Sequence, residues 1–230
     1  MLSVQQGQAG ARPSPLTAIR HRANKVANLW IFDSPKNRCR LTVVGDVPFM
    51  HLILLEGNPQ VCGYQLVGDP FELLGGPRNV SSPGYIRVVN SDGPDTWLRI
   101  KRSSGREGSS STENSDRDRL RAGATAARAT YAEYSELELR GREIEFENWL
   151  ILCACMTRVR GNPDYAELTA FVESLESNAG VSVRTLLAVP GVDQATMLAV
   201  IAAALQQGTA STELRRSPFG LDSLIQRRPT

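Results

Sequence analysis

Hydrophobic and polar positions at the start of the chain predict a hairpin followed by a helix. Two short runs of strand-forming residues flank a Ser34–Asn37 turn within residues 29–44, a pattern typical of paired strands. Residues 46–56 then carry apolar side chains at i, i+3 and i+4 spacing, which predicts a helix. Asp46 is the expected N-cap of this helix, and Pro48 falls in its first turn, where a missing N–H breaks no helical hydrogen bond.

The next part of the chain predicts three strands. Residues 61–67 are rich in strand-forming side chains and follow a tight turn at Gly57-Asn58-Pro59. Residues 85–90 alternate between apolar and polar positions, as a half-buried strand does. Residues 96–101 resemble them and follow a turn at 91–94, so these two strands are expected to form a hairpin.

The middle of the chain alternates between polar segments and predicted elements. Residues 1–24 lack periodicity and predict a flexible tail, and residues 103–115 are too polar to pack and predict a flexible linker or loop. A helix is expected over Asp116–Ala129, a strand over 130–136, and a helical region over 137–159.

The last part of the chain predicts three helices and a small extended region. The first two helices are expected over residues 163–175 and 182–189. The third begins after Asp193, its expected N-cap, and ends at Gly208. Short extended pieces then surround Ser217–Gly220. Helices followed by such a hairpin are typical of a winged-helix-like module.

Composition narrows the class of protein without naming a ligand. The chain has 230 residues, of which 41% are hydrophobic and 22% charged, as in ordinary soluble proteins. Its net charge of +2 is too small to indicate a nucleic-acid partner, although local arginine clusters can bind one. No apolar run approaches the roughly 20 residues that a membrane span needs. The first 15 residues also lack the apolar core of a signal peptide, so we expect a cytoplasmic protein without a membrane partner.

Cysteine and histidine spacing does not predict a metal site. The four cysteines form no CxxC pair, and His21 and His51 are the only histidines. Cys153 and Cys155 are two residues apart on a predicted helix and therefore point in different directions. Buried, reduced thiols are the expected state.

The order of these elements carries a resemblance to a known family. The residues that match are Leu55-Glu56 at the helix end, Asn58-Pro59, Val61 and Tyr64-Gln65. Together with the basic turn before the helix, they resemble the front of TnsA-type endonuclease subunits of heteromeric transposons. The segment YAEYSELELRGREIEFENWLIL resembles the closing strand and following helix of that family. The C-terminal helices resemble its small winged-helix-like domain.

The resemblance implies an architecture and a set of partners. It implies an α/β fold with a restriction-endonuclease-like mixed-sheet domain over residues 25–140 and a small helical, winged-helix-like domain over residues 141–230. DNA is the implied ligand, and a DDE-type transposase and an AAA+ transposition regulator are the implied protein partners. No cofactor is expected, except Mg²⁺ if the chain cleaves DNA.

Metal-dependent phosphodiester cleavage needs carboxylates to hold a hard cation and a lysine to orient or activate water. The resemblance implies an acid on the first helix, an Asp on the second strand, and a Glu or Gln two residues before a Lys on the third. Asp46 is the nearest helical acid, whereas Gly84 and Arg99 occupy the other two acidic positions. Only Lys101 is retained, which predicts that cleavage is lost.

Other acids leave a rebuilt site open as an alternative. Asp95 and Lys101 would lie about 20 Å apart on one strand at ~3.3 Å per residue, so Asp95 is expected to be a turn residue. Glu56 is either a metal ligand or the polar end of a helix. A site that has migrated would draw on Asp46, Glu56, Asp69 or Asp92.

Arginines provide the candidate DNA contacts. Arg99 and Lys101 share one strand face, and Arg87 on the partner strand extends it. Arg78 and Arg102 lie close by in sequence. This face is either a cationic cleft that grips phosphates or a sheet edge protected by charge.

The pairs Arg215-Arg216 and Arg227-Arg228 flank the predicted wing. They either contact DNA phosphates or an acidic protein, or are solvated. The stripe formed by Leu198, Ile201 and Leu205 is predicted to be core and too apolar for a recognition helix.

Three functions therefore follow from the sequence. The first is a catalytically inactive TnsA-like subunit that acts in DNA binding and transposase assembly. The second is an active metal-dependent endonuclease with a migrated site. The third is a DNA-binding regulator whose winged-helix module does the work.

Overall fold

The computed structural model describes residues 28–68, 84–101, 111–162 and 164–228. The predicted tail, Asp69, Arg102 and most of the predicted 103–115 linker lie outside these residues. The described chain begins with an antiparallel hairpin of β1 (Leu29–Ser34) and β2 (Cys39–Val44) around the expected turn.

Helix α1 (Asp46–Glu56) follows the hairpin as predicted, with Pro48 in its first turn. The predicted cap is wrong. Gly45 is the N-cap, with a φ of 97°, and Asp46 is the first helical residue. The Asp46 carboxylate instead accepts hydrogen bonds from the side chains of Asn28 and Trp30 at 2.9 and 2.8 Å. It therefore attaches the start of β1 to the helix.

A four-stranded mixed sheet forms next, in the order β3-β4-β5-β6. Its strands are β3 (Val61–Val67), β4 (Tyr85–Asn90), β5 (Thr96–Ile100) and β6 (Thr130–Tyr134). The first three strands are antiparallel, and the predicted β4–β5 hairpin is confirmed. Strand β6 pairs in parallel with β5, and helix α2 makes the crossover between them.

Helix α2 (Ser111–Ala126) begins earlier than the sequence predicts. Residues 111–115, expected to belong to a flexible linker, form its first turns. Among the described side chains of this helix, the buried ones lie on one narrow face at Asp116, Leu120 and Ala124. The rest is polar, so hydrophobic periodicity does not reveal where the helix starts. Its polar first turn still suits a helix, because Glu113 lies near the positive end of the helix dipole.

The predicted helical region after β6 divides into two parts. A 3-10 turn at Glu136–Leu139 is closed by a capping box, in which Ser135 and Glu138 exchange hydrogen bonds with each other's backbone. Gly141 then adopts a φ of 71°, and α3 (Glu143–Arg158) begins two residues later. The glycine interrupts the helix because its left-handed conformation cannot continue an α-helix.

The C-terminal part contains three helices and three short strands. They are α4 (Tyr165–Ser177), β7 (Val181–Ser182), α5 (Val183–Leu187), α6 (Gln194–Gln207), β8 (Ala210–Ser211) and β9 (Leu224–Arg227). The predicted ends of α6 are confirmed, because Asp193 accepts from Thr196 N at 2.8 Å and Gly208 adopts a φ of 76°. The strands pair antiparallel in the order β7-β9-β8.

One hydrophobic core runs through the described residues. Helix α6 is buried along most of its length and packs on α3, and α3 in turn packs on α1 beneath the sheet. The predicted core stripe of α6 is confirmed, with Ile201 and Leu205 buried. Trp149 and Leu152 of α3 belong to the same cluster as Leu52 of α1. The predicted division near residue 140 stays a prediction, and the core is continuous across it.

Within the described residues, none of the helices has the length and apolar character needed to cross a bilayer.

Gly57 offers a direct test of the packing between α1 and α3. Its φ of −81° suits any residue, but a Cβ at this position would overlap the indole ring of Trp149. We expect Gly57→Ala to lower the free energy of unfolding by about 1–3 kcal/mol, because the buried ring has no room to move. Urea unfolding measures this loss.

Gly220→Ala is the matched control, because a Cβ there meets no atom within 4 Å. Equal stability of the two variants would contradict the packing described for Trp149.

Candidate functional site

Lys101 and Arg99 converge on one carboxylate of the neighbouring parallel strand. Lys101 Nζ lies 2.5 Å from Glu133 Oε2, and Arg99 Nη1 lies 3.5 Å from Glu133 Oε1. Tyr131 donates its hydroxyl to the same carboxylate at 2.7 Å. The parallel register aligns Arg99 directly with Glu133, which explains why their side chains meet. The two predicted cations are therefore paired within the sheet.

The ionisation of this group follows from its contacts. Burial alone would raise the pKa of Glu133, but hydrogen bonds from Lys101 and Tyr131 outweigh it and hold the pKa below the ordinary value. Burial and the adjacent Glu133 carboxylate raise the pKa of the Tyr131 hydroxyl. Glu133 is therefore a carboxylate and Tyr131 a neutral phenol at neutral pH.

This charged face lies under α2. A Cβ on Gly123 of α2 would approach the ring of Trp97 to 2.8 Å, so the odd-numbered residues of β5 face that helix. Arg99 also donates to the backbone oxygen of Glu113 at 3.2 Å, and 17% of its side chain is exposed. The alternative of a protected sheet edge is wrong, because β5 lies between β4 and β6. Arg87, on the same face, pairs with Asp95 at 2.6 Å.

The residues proposed for a nuclease centre lie on opposite faces of the sheet. His51 of α1 contacts the Tyr134 ring, with a centroid distance of 5.2 Å, so α1 covers the even-numbered face. Asp46 belongs to α1, whereas Lys101 lies on the α2 face with Arg99. Gly84 is buried just before β4, two residues before the buried Ile86. It therefore lies on the same sheet face as Ile86, away from Lys101. The structure does not bring Asp46, Gly84 and Lys101 together.

The remaining candidate acids are separate from one another. Asp92 is exposed in the β4–β5 turn, and Asp95 precedes β5 with its carboxylate on Arg87, consistent with a turn role. Asp69 lies outside the described residues. In the described ranges, no group of three or more His, Cys, Asp or Glu side chains is arranged to hold a metal ion.

The sequence indicated Glu56 as a metal ligand or as the polar end of a helix, but it did not predict that this side chain is buried. It is fully buried at the end of α1 and accepts hydrogen bonds from four donors in three parts of the chain. These donors are the Ser34 hydroxyl, Lys36 N at 3.0 Å, the Tyr64 hydroxyl at 2.5 Å and Gln206 Nε2 at 3.0 Å. Four donors satisfy a buried carboxylate, so its role is structural. Leu55-Glu56 and Tyr64-Gln65 appeared in the sequence only as part of the family resemblance, with no indication that Tyr64 and Glu56 are hydrogen-bonded.

The β1–β2 turn is shaped by the same cluster. Lys36 donates from its ammonium to the backbone oxygen of Asn58 at 2.6 Å. Burial lowers the pKa of Lys36 to about 8, and the negative charge of Glu56 opposes this effect. Asn37 accepts from Tyr64 N at 2.9 Å and donates its own N–H to the Ser34 hydroxyl at 3.0 Å. The turn is therefore fastened to β3 and to the end of α1.

The predicted wing arginines lie on an exposed connection that α3 holds in place. Arg215 and Arg216 are exposed, and their backbone N–H groups donate to the Glu213 carboxylate at 2.9 and 3.1 Å. Asn148, buried on α3, donates to Leu214 O and to Ser217 O at 2.8 Å. It also accepts from Phe219 N at 2.7 Å. The conformation that carries the two arginines is thus set by one buried amide.

The four cysteines are free. Cys153 is buried as expected, and its burial raises the pKa of the thiol. The expectation of burial is wrong for Cys39 and Cys62, which are exposed on β2 and β3. No protein-family model matches the chain, and no curated protein matches it.

Glu56→Gln tests the role of the buried carboxylate. The amide keeps the shape but places an NH₂ group among donors, so at least one buried donor loses its acceptor. We expect the free energy of unfolding to fall by about 2–4 kcal/mol. Chemical unfolding measures it, with exposed Glu143→Gln as the control expected to stay within about 0.5 kcal/mol. A loss no larger than that of the control would contradict the structural role.

His51 predicts a pH dependence of stability. Its Nε2–H donates to Ser135 O at 2.9 Å, and burial lowers its pKa below the ordinary value of 6.5, with Arg142 acting in the same direction and Glu138 opposing it. Because the folded state disfavours the proton, this contribution to stability is complete above pH 6.5 and is lost as the pH falls below it. Thermal unfolding between pH 7.5 and 5 measures the loss.

His51→Gln removes the titrating group, and we expect the stability of that variant to change less over the same pH range. His21→Gln is the matched control and should keep the wild-type dependence. An unchanged pH profile in His51→Gln would refute the assignment.

Proposed function

We propose that this chain is a TnsA-like subunit of a DNA transposition machinery that binds DNA and assembles with a transposase without cutting DNA itself. The DDE-type transposase and the AAA+ transposition regulator are its proposed protein partners. The single observation that carries the proposal is the order and direction of the elements around the mixed sheet.

The first support comes from the sheet topology. A helix, three antiparallel strands, a crossover helix and a parallel fourth strand follow one another as α1, β3, β4, β5, α2 and β6. This is the order that a restriction-endonuclease-like domain is expected to have. The mixed α/β fold itself is observed and does not depend on that assignment.

The second support comes from the C-terminal part. Three helices and three strands, with β9 between β7 and β8, are the arrangement expected of a winged-helix-like module. In such a module the third helix reads bases when it is exposed in the major groove. Here α6 is largely buried beneath α3, and Gln194 and Gln207 are its exposed polar residues near the two ends. The module therefore suits docking to a protein better than reading bases, which disfavours the regulator alternative.

The proposed loss of cleavage follows from the chemistry of named positions. Gly84 provides no ligand, and Arg99 brings a positive charge where a metal needs a negative one. The retained Lys101 is engaged by Glu133 on a face away from Asp46. The same separation disfavours the alternative of an active endonuclease with a migrated site.

A nicking assay tests the proposal. We expect purified chain to bind duplex DNA in a salt-sensitive manner and to leave supercoiled plasmid intact with Mg²⁺ or Mn²⁺. Metal-dependent nicking that disappears in Lys101→Ala would overturn the inactive assignment. Co-purification with a transposase encoded beside it in the genome would support the assembly role. Absence of DNA binding, or absence of binding to such a transposase, would each overturn the proposal.

A further inference from the structure

We infer that Lys36, Arg38, Arg160 and Arg228 form a basic cluster that binds the phosphodiester backbone of duplex DNA. This site is separate from Arg87, Arg99, Arg215 and Arg216, although Arg228 also flanks the predicted wing, and it rests on the proposed function only in that DNA is the ligand.

The cluster gathers residues from distant parts of the chain around the turn Gly57–Pro59. Lys36 Nζ lies 2.6 Å from Asn58 O, which places the β1–β2 turn beside it. A Cβ on Gly208 would lie 2.8 Å from Pro59 Cβ and 3.5 Å from Arg228 Nη1, so the end of β9 borders the same turn.

The end of α3 completes the cluster. Arg160 Nη2 donates to Ser34 O at 3.2 Å, next to the β1–β2 turn. That bond occupies one of the five N–H donors of the guanidinium, and the others remain for a ligand.

The arginines of the cluster keep their charge available. Arg38, Arg160 and Arg228 are exposed, and no carboxylate of the described residues lies within ion-pair distance of them. This distinguishes them from Arg87, Arg99 and Lys101, each of which is paired. Of the nearby acids, Asp33 pairs with Arg40, and Arg160 adds a weaker charge interaction that also lowers the pKa of Asp33. Glu56 is buried beneath its four donors.

The cations are also presented by a rigid frame. Arg38 holds a left-handed φ of 52° at the end of a turn whose preceding residues are fastened to Ser34, Glu56 and Tyr64 by hydrogen bonds. A non-glycine residue adopts this conformation at a cost, and the surrounding bonds maintain it. A backbone that is already held in place loses less conformational entropy on binding than a loose loop does.

The chemistry favours a phosphate backbone over a lipid surface. Guanidinium groups match phosphate oxygens in a bidentate geometry, and several of them along a surface can contact successive phosphates. A membrane-binding surface also inserts apolar side chains. None of the large exposed hydrophobic residues lies in the segments 36–38, 57–60, 158–162 and 227–228.

Fluorescence anisotropy with a labelled DNA duplex, measured at several salt concentrations, tests the inference. The variant Arg38→Gln/Arg160→Gln/Arg228→Gln removes three cations of the cluster. If each arginine contacts one phosphate, the negative slope of log K against log salt should become shallower by about 0.9 per contact, or about 2.7 in total. Arg117→Gln/Arg128→Gln/Arg140→Gln removes the same charge elsewhere and should keep the wild-type slope.

The outcomes separate this inference from the proposed function. If the triple variant unfolds, Arg38→Gln/Arg228→Gln spares the Arg160 bond to Ser34 O. The negative slope of log K against log salt for this double variant should become shallower by about 1.8. A wild-type slope in either folded cluster variant overturns the site but leaves DNA binding intact. Wild-type chain that does not bind the duplex overturns both. Wild-type chain that binds phosphatidylserine vesicles and not the duplex also overturns the site.

Discussion

A buried carboxylate on α1 is the constraint on which the arrangement of the elements depends. A charge removed from water is tolerated only when donors surround it, and Glu56 receives its donors from the β1–β2 hairpin, β3 and α6. Each of these elements must therefore approach the end of α1 closely. The same contacts fasten the hairpin turn that carries Lys36 and Arg38, and they hold α6 against the end of α1.

The fold also separates the cations of the chain into two groups. On the sheet, parallel pairing with β6 aligns Arg99 with Glu133, and Lys101 reaches the same carboxylate, so one of these two positive charges is balanced there. Around the Gly57–Pro59 turn, arginines from separate elements meet without such acids. Local electrostatics, and not the net charge of +2, decides which surface can attract an anion.

Much of the fold was predictable from local patterns, whereas most of the site was not. Periodicity and turn residues identified α1, the β4–β5 hairpin and α6, because those signals lie within a few residues. The start of helix α2 was predicted too late, because its polar first turns carry no hydrophobic periodicity. The partner of Lys101, Glu133, lies on a parallel strand that follows a crossover helix, so local residue spacing could not predict this ion pair. Asp46 was misread because its partners, Asn28 and Trp30, precede it by a whole hairpin.

The hydrogen bond between Gln206 and Glu56 spans 150 positions of the chain, which has a consequence for synthesis on the ribosome. Residues emerge from the N-terminus first, so α1 and its hairpin leave the exit tunnel long before the amide that completes the shell of Glu56 has been made. During that interval the Glu56 carboxylate lacks the donor that Gln206 supplies, so water must take its place. Final packing around the end of α1 therefore waits until α6 has been translated.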